Sequence, residues 1–244
     1  MKELAANTRN LFNINLTSLQ LGLFEQYEHQ LITWNERINL TAICDPAQIR
    51  VKHFLDSLAC LSVMGENPNG KIIDVGTGAG LPGIPLKIAL PTLSLSLVES
   101  VSKKCEFCQH VVKTLSLEGV EIISERAESV GHHTRHRQNY HYAVARAVAN
   151  LVTLVEYLLP LLRIGGTAIA MKGETAPVEA QEAEHAITLL GGHLRKLEPI
   201  TLPGVVEQRY LVIIDKIVAT PDEYPRRIGL PVKKPLKKKP IAKV

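Results

Sequence analysis

Residues 74–83 read Asp74-Val75-Gly76-Thr77-Gly78-Ala79-Gly80-Leu81-Pro82-Gly83 and follow a β-branched run at residues 71–75. A strand that leads through a glycine-rich turn into a helix is typical of the first βαβ unit of an open α/β sheet. Glycines allow the tight turn and let a ligand approach the main chain closely. We therefore predict a ligand site at the carboxyl end of the strand at 71–75.

The flanking sequence repeats the same alternation of short strands and helices. We predict further strands at 93–99, 120–124, 141–145, 167–172, 193–199 and 210–216. The strand at 167–172 follows a predicted turn at Gly165-Gly166. The gap between the last two strands is too short for a helical crossover, so these two strands are expected to be antiparallel. The pattern indicates a Rossmann-like open sheet with helices on both faces.

Three parts are predicted along the chain: an N-terminal helical segment at 1–65 packed on the core, an α/β core at 66–223 and a basic tail at 224–244. The first part has apolar residues at helical spacing after Thr17 and Gln20, which form a capping-box pattern. Pro46 is expected to open a second helix that continues to Leu61.

Charge is divided unevenly between the body and the tail. The chain carries a net charge of +4, while residues 224–244 contain six Lys, two Arg and no acid, which leaves the body mildly acidic. A nucleic-acid-binding protein that is basic over its whole surface is excluded, and the tail is the segment expected to bind a polyanion. We predict that its last ten residues are disordered.

The sequence also indicates the compartment. Residues 1–20 have no apolar run of signal-peptide length, and the chain has no apolar run long enough to span a membrane. The four cysteines of this long chain are expected to be reduced thiols. A cytoplasmic protein without a membrane partner is therefore predicted.

The glycine loop allows two ligands to be compared. Gly78, Gly80 and Gly83 satisfy the dinucleotide pattern G-x-G-x-x-G, but Pro82 lacks the N–H that a pyrophosphate requires. Asp74 would also place negative charge beside phosphates. A ligand with a positive centre and no phosphate suits the loop better, and S-adenosylmethionine is such a ligand.

The loop resembles motif I of class I methyltransferases, with Asp74, Gly76, Gly78 and Gly80 as cofactor-binding residues. Glu99, at the end of the second strand, stands where those enzymes place the carboxylate that accepts both ribose hydroxyls. The loop and Glu99 together are a more specific signal than either alone.

Other segments match, in order, the motifs of one family. They are Trp34-Asn35, Asn39-Leu40-Thr41, His53-Phe54-Leu55-Asp56-Ser57, Gly78 to Leu86, Glu99-Ser100, Arg126-Ala127-Glu128, Arg146-Ala147, Lys172-Gly173, Arg209-Tyr210-Leu211-Val212 and Tyr224-Pro225-Arg226-Arg227 with Gly229 and Pro231. The chain thus resembles the glucose-inhibited division protein B family, the bacterial 16S ribosomal RNA guanine-N7 methyltransferases. Ala79, where that family usually has Pro, is a mild departure.

The resemblance implies an enzyme that uses S-adenosylmethionine to methylate N7 of a guanine in 16S ribosomal RNA, within the small ribosomal subunit and not on DNA. It implies cofactor contacts from Gly76, Leu81, Ala127, Glu128 and Arg146. The RNA contacts that we expect in the tail come from Arg226, Arg227, Lys233 and Lys234. Removal of everything after Glu223 is expected to weaken RNA binding and to spare cofactor binding. A methyltransferase for another RNA or a small molecule, and a non-catalytic assembly factor with the same fold, remain alternatives.

No catalytic residue is assigned with certainty, because guanine N7 has a free lone pair and needs no general base. The candidates are Arg146 and Lys172, expected at the ends of strands, and His53 and Asp56, three residues apart on one helix face. We expect Arg146 to contact the cofactor's carboxylate end or the base, and Lys172 to lie nearer RNA phosphate. His53 and Asp56 form either an acid–base pair or polar packing groups.

No metal site is predicted. The pair Cys105-x-x-Cys108 is interpreted as helix thiols, because no second pair follows it. The histidines His132, His133 and His136 are interpreted as part of a polar loop, because no carboxylate or cysteine accompanies them.

Overall fold

Seven strands form one sheet in the computed structural model, which describes residues 1–64 and 70–237. They are β1 (Lys71–Val75), β2 (Ser94–Val98), β3 (Val120–Ile123), β4 (Tyr140–Arg146), β5 (Leu162–Lys172), β6 (Gly192–Ile200) and β7 (Arg209–Lys216). Their order is β3-β2-β1-β4-β5-β7-β6. Neighbours are parallel except at β7, which is antiparallel to both β5 and β6. The predicted open sheet with an antiparallel final pair is confirmed.

A hydrophobic cluster covers each face of the sheet, because successive strand residues point to opposite sides. On β1, Ile72 belongs to one cluster and Ile73 to the other. On β4, Val144 packs with Ile72, while Ala143 and Ala145 pack with Ile73. Central strands that are buried on both faces are expected for a parallel sheet covered by helices.

Helices fill both layers. They are α1 (Lys2–Phe12), α2 (Ser18–Asn35), α3 (Pro46–Ile49), α4 (Asp56–Leu58), α5 (Leu61–Met64), α6 (Gly83–Ala89), α7 (Ser102–Thr114), α8 (Ala127–Val130), α9 (Leu151–Leu158), α10 (Ala176–Leu189) and α11 (Leu230–Lys233). Within the described residues, no helix has the length and apolar character needed to cross a membrane.

Helix α2 begins with the predicted capping box. The Thr17 hydroxyl accepts the Gln20 N–H at 3.2 Å, and the Gln20 side chain accepts the Thr17 N–H at 2.8 Å. The helix buries Phe24, Tyr27 and Leu31 in the same cluster as strand residues. The predicted boundary after residue 65 lies outside the described residues, and the division into three parts stays a prediction.

The helix expected from Pro46 to Leu61 is not uniform. A π-helical segment, Arg50–Leu55, joins α3 to α4, and the run ends at Leu58 before α5 begins. Sequence periodicity does not reveal such a segment, because its six residues are too few to define a period different from that of an α-helix. Asp56 follows directly and is buried. Local π-helical geometry of this kind is frequent at functional sites.

The turn predicted at Gly165-Gly166 is wrong, since both glycines lie inside β5. The pairing of β4 with β5 shifts register between Tyr140 and Tyr142, so the strand bulges here. A Cβ on Gly166 would lie 3.0 Å from three main-chain carbonyl oxygens. The glycine is therefore required by close main-chain packing rather than by a turn.

The beginning of the basic tail is folded onto the core. Residues 224–233, here called the C-terminal arm, end in α11, which contacts α9. The Arg137 guanidinium donates to the carbonyl oxygens of Tyr224 at 2.6 Å and Thr220 at 2.9 Å. Of the last ten residues, for which we predict disorder, 238–244 lie outside the described residues.

Candidate functional site

The carboxyl ends of the parallel strands form a cavity of about 530 Å³. It is lined by Val75, Gly76, Val98, Glu99, Ser100, Val101, Glu125, Arg126, Ala127, Glu128, Ala147, Val148, Tyr157, Ile228, Gly229, Val232 and Lys233. The volume is in the range of about 300–1,000 Å³ that is usual for small-molecule sites. We call it the cofactor cavity. Four of the predicted cofactor residues, namely Gly76, Glu99, Ala127 and Glu128, line it.

The Glu99 carboxylate is fixed by the main chain. Its Oε1 accepts the N–H groups of Ser100 at 2.8 Å and Val101 at 2.9 Å, and its Oε2 accepts the Gly78 N–H at 3.1 Å. The side chain is only 8% exposed. With a single amide partner, Oε2 keeps acceptor capacity for a hydroxyl group. Glu99 is therefore oriented before any ligand arrives.

The glycine loop has no space for a side chain at Gly76. Gly76 has φ +70°, and a Cβ there would lie 2.6 Å from a methyl carbon of Val148. Such a conformation is costly for other residues and free for glycine. The Gly80 and Leu81 main chain lies further along the loop, and the Leu81 side chain is buried in the hydrophobic cluster instead of lining the cavity.

Asp74 supports the loop from within the core. It is fully buried, and its Oδ2 accepts the Thr77 hydroxyl at 2.6 Å and the Gly83 N–H at 2.8 Å. Burial raises the pKa of the Asp74 carboxyl to about 6. Its Oδ1 has no hydrogen-bond partner among the described residues. Asp74 does not line the cofactor cavity, so its charge would act on a cationic ligand there from behind the glycine loop rather than by direct contact.

Glu128 stands at the other end of the cavity. It is 5% exposed, and its Oε1 accepts the Gly229 N–H at 2.9 Å and the Tyr157 hydroxyl at 3.4 Å. Burial and the Glu128 carboxylate raise the pKa of Tyr157 to about 12, so this hydroxyl stays a donor. Sequence reasoning missed both Tyr157 and Gly229 as neighbours of Glu128, because neither belongs to a motif of the glycine loop.

A second cavity of about 290 Å³ adjoins the first. It is lined by Asp56, Arg146, Ala147, Met171, Lys172, Gly173, Glu179, Ile200, Arg209, Tyr210 and Leu211. We call it the neighbouring cavity. Ala147 lines both cavities, and its φ of +56° is unusual for a residue with a side chain. Strained main chain of this kind is commonly found at functional sites.

An ion cluster occupies one side of the neighbouring cavity. The Asp56 Oδ2 accepts N–H groups from Arg146 at 3.1 Å and from Arg209 at 3.3 Å. Arg146 also donates to the Lys52 carbonyl at 3.0 Å. Burial raises the pKa of Asp56, and the two guanidiniums oppose that rise. Arg146, which we predict as a cofactor or base contact, thus lines the neighbouring cavity with Asp56 as its partner and is not among the residues that line the cofactor cavity.

His53 lies against the same cluster. Its Nδ1 is 3.1 Å from the Lys52 carbonyl and 3.4 Å from Arg146 Nη2, and its Nε2 is 2.8 Å from the Thr41 hydroxyl. Burial and the Arg146 charge lower the pKa of His53 to about 4. Its imidazole is therefore neutral near pH 7 and a weak base. The geometry favours a packing role for His53 over an acid–base role.

Lys172 has partners within the protein. Its ammonium donates to the Ala149 carbonyl at 2.6 Å and lies 2.7 Å from Glu179 Oε2. Only 11% of its side chain is exposed. Lys172 lines the neighbouring cavity, as expected for the end of a central strand, but its charge is already balanced.

The predicted RNA-binding residues divide into two groups. Arg226 forms a bidentate pair with Glu156, whereas Arg227, Lys233 and Lys234 are exposed.

Elsewhere, Cys105 and Cys108 are buried free thiols on α7, and His132 contacts the Pro225 carbonyl. Among residues 1–64 and 70–237, no three His, Cys, Asp or Glu side chains form a group that could hold a metal ion.

Solved structures share this fold at low sequence identity. M. jannaschii TYW2 in complex with AdoMet is 17% identical with a TM-score of 0.51, and the match covers 66% of this chain and 77% of that one. Geranyl diphosphate C-methyltransferase from Streptomyces coelicolor A3(2) is 11% identical with a TM-score of 0.53, over 67% and 76% of the two chains. The sheet, the glycine loop and the carboxylate at the end of β2 define a class I S-adenosylmethionine-dependent methyltransferase.

Sequence comparison gives the family. The model of GidB, described as rRNA small subunit methyltransferase G, matches residues 20–205. The chain belongs to this family. Ribosomal RNA small subunit methyltransferase G of Roseiflexus castenholzii is 48% identical over 225 residues, which cover 92% of this chain and 95% of that protein. The protein of the same name from Pelotomaculum thermopropionicum is 47% identical over 91% of this chain and 93% of its own.

Proposed function

We propose that the protein transfers a methyl group from S-adenosylmethionine to N7 of a guanine in 16S ribosomal RNA, in the small ribosomal subunit and in the cytoplasm. The observation that carries the proposal is the pair of cavities that meet at Ala147. One presents the fixed Glu99 carboxylate, and the other is large enough for a base and is lined by Asp56, Arg146 and Arg209. Membership in the rRNA small subunit methyltransferase G family supports the choice of RNA.

The chemistry asks for positioning rather than for acid–base groups. When bound, S-adenosylmethionine supplies an electrophilic methyl group on its sulfonium. Guanine N7 carries a lone pair and no proton, so no residue has to remove one. The protein has to hold the base in line and exclude water. The neutral, hydrogen-bonded state of His53 agrees with this requirement.

Asp56 is the residue best placed to recognise guanine. Both arginines bind its Oδ2, so neither of them holds Oδ1. Oδ1 can accept from guanine N1–H or from the 2-amino group, whereas adenine presents an acceptor at N1, so the free oxygen favours guanine. This edge of the base lies away from N7. A guanine in a helix is stacked, so the substrate base must be in a loop or be flipped into the cavity.

Radiolabelled cofactor tests the proposal directly. The protein is incubated with labelled S-adenosylmethionine and either purified small subunits or naked 16S RNA, and the RNA is digested to nucleosides. We expect label in 7-methylguanosine. Label in a different nucleoside, in another RNA or in small molecules would contradict the proposal, and a protein that binds the cofactor but transfers nothing would favour an assembly factor.

A further inference from the structure

We infer that the C-terminal arm, residues 224–233, is a wall of the cofactor cavity and contributes to the affinity for S-adenosylmethionine. Glu156 and Arg226 act as positioning residues that hold the arm in place. The inference rests on the proposed function only in assigning the cofactor cavity to S-adenosylmethionine. It assigns cofactor binding to a segment whose charge alone suggests RNA.

The arm supplies four of the residues that line the cavity: Ile228, Gly229, Val232 and Lys233. The Gly229 N–H donates to Glu128 Oε1 at 2.9 Å, so the arm closes the end of the cavity opposite the glycine loop. Glu99 follows β2 and Glu128 follows the adjacent strand β3, so a ribose bound at Glu99 would place its adenine ring at this end of the cavity. The main chain of the arm is thus hydrogen-bonded to a residue of the site itself.

Two aliphatic side chains of the arm are exposed although they line a cavity. Ile228 is 59% and Val232 is 61% exposed. Burial of such side chains is favourable, and a flat aromatic ring is a ligand group that would cover them. The apolar side of the cavity therefore suits adenine, while Glu99 suits the ribose.

The arm is anchored by a buried charge pair outside the cavity. Glu156 on α9 is completely buried and accepts three hydrogen bonds from Arg226: the main-chain N–H at 2.8 Å, Nε at 2.8 Å and Nη2 at 2.7 Å. The Thr153 hydroxyl also donates to the Pro231 carbonyl at 3.2 Å. A buried carboxylate that loses its cation is strongly destabilising, so undocking of the arm is costly.

Adjacent residues of α9 connect the anchor to the site. Tyr157 follows Glu156 directly, and its hydroxyl donates to Glu128, which also accepts the Gly229 N–H. Displacement of the arm would therefore remove a donor from Glu128 as well as a wall from the cavity. The sequence alone led us to expect that removal of the residues after Glu223 spares cofactor binding. The inference predicts instead that this removal weakens cofactor binding.

The exposed side chains give the sharpest test, because their truncation leaves the core intact. In the double variant Ile228→Ala with Val232→Ala, we expect the Kd for S-adenosylmethionine, measured by calorimetric titration, to rise about tenfold. The melting temperature of the ligand-free protein should stay the same. The matched control is Val178→Ala with Val206→Ala, two exposed valines at 62% and 95% that lie outside the cavity.

The anchor gives a second, independent test. Arg226→Gln should raise the KM for S-adenosylmethionine more than it changes kcat, and Arg226→Lys should restore part of the affinity because it keeps the cation. If Arg226 had only a structural role, its replacement would lower the melting temperature without raising the KM for S-adenosylmethionine more than it changes kcat. Unchanged cofactor affinity in both the double variant and Arg226→Gln would overturn the inference alone. Failure of the unaltered protein to bind S-adenosylmethionine would overturn the proposed function together with the inference.

Discussion

The cofactor cavity and the neighbouring cavity hold their central carboxylates in different ways. Glu99 is held by three main-chain N–H groups, whereas Asp56 is held by the side chains of Arg146 and Arg209. Main-chain donors are fixed by the fold, but long side chains can exchange partners. The first arrangement suits a ligand that always binds in one pose. The second suits a base that must be admitted, aligned and released.

The largest expected effect is the loss of Glu99. In Glu99→Ala, the Kd for S-adenosylmethionine should rise about 100-fold, because two hydrogen bonds to a charged group are worth roughly 3 kcal/mol together. Calorimetric titration measures the change. Glu106→Ala, at an exposed acid on α7, is the control. An affinity within threefold of the unaltered protein would show that the Glu99 carboxylate does not hold the cofactor.

Asp56→Asn should affect the neighbouring cavity and leave the cofactor cavity intact. The neutral amide binds two guanidiniums and a guanine edge less well, so kcat/KM for RNA should fall about 10- to 100-fold, given roughly 1.5–3 kcal/mol for a charged hydrogen bond. The Kd for the cofactor should stay within about twofold, since Asp56 lies in the other cavity. Asp45→Asn, at the exposed cap of α3, provides the control. Equal losses of cofactor binding and of methylation would contradict the assignment.

Asp74 predicts a pH dependence of cofactor binding. Its pKa of about 6 lies above the unfolded value of about 3.9, and only the ionised form balances a cationic ligand. Affinity should therefore fall as the pH drops through 6, by at most about tenfold at pH 5, where about a tenth of the carboxyl is ionised. Titrations from pH 5 to 8 measure this, and Asp74→Asn should flatten the curve.

The raised pKa of Asp74 also makes the stability of the ligand-free protein depend on pH, but stability falls as the pH rises, whereas cofactor affinity rises. Between about pH 4 and pH 6, the folded protein keeps a proton on Asp74 that the unfolded chain has lost. The stability contribution of this group is therefore complete below about pH 4 and is lost as the pH rises through 6. Melting temperatures of the ligand-free protein and of Asp74→Asn should diverge across this window. A parallel course would contradict the raised pKa.

The smallest expected effect concerns the end of the chain. Removal of residues 238–244 takes away Lys238, Lys239 and Lys243. If they meet phosphates, RNA association should weaken a few-fold and the salt dependence should become shallower by up to about 0.7–0.9 per contact. Cofactor affinity should not change, in contrast to removal of everything after Glu223. Filter binding at several salt concentrations distinguishes the two truncations.

Local signals could be predicted well from the sequence. The glycine loop and Glu99 each follow a strand within a few residues, so the order of elements along the chain places them together. The fold class and the antiparallel end of the sheet follow from the same pattern. The π-helical segment before Asp56 could not be foreseen, because six residues are too few to show a period of their own.

Contacts between distant elements were harder to foresee. Asp56, Arg146 and Arg209 come from three separate elements, and Arg209 reaches the site because β7 runs against its neighbours and begins at the edge where they end. The Glu156–Arg226 pair was also missed, although one signal existed. Glu156 is the single charged residue of α9, and a buried acid requires a cation.

The C-terminal arm also affects the order in which the protein becomes competent during its own synthesis. Domains fold as the chain emerges, N-terminal parts first. The glycine loop, Glu99 and Glu128 are then present while residues 224–233 are still missing, and the carboxylate of Glu156 has no arginine to meet. A nascent chain at this stage already contains all seven strands, but the end of the cavity next to Glu128 has no arm to close it. If the arm contributes to cofactor affinity as inferred, full affinity is reached only after residues 224–233 have been synthesised and docked on α9.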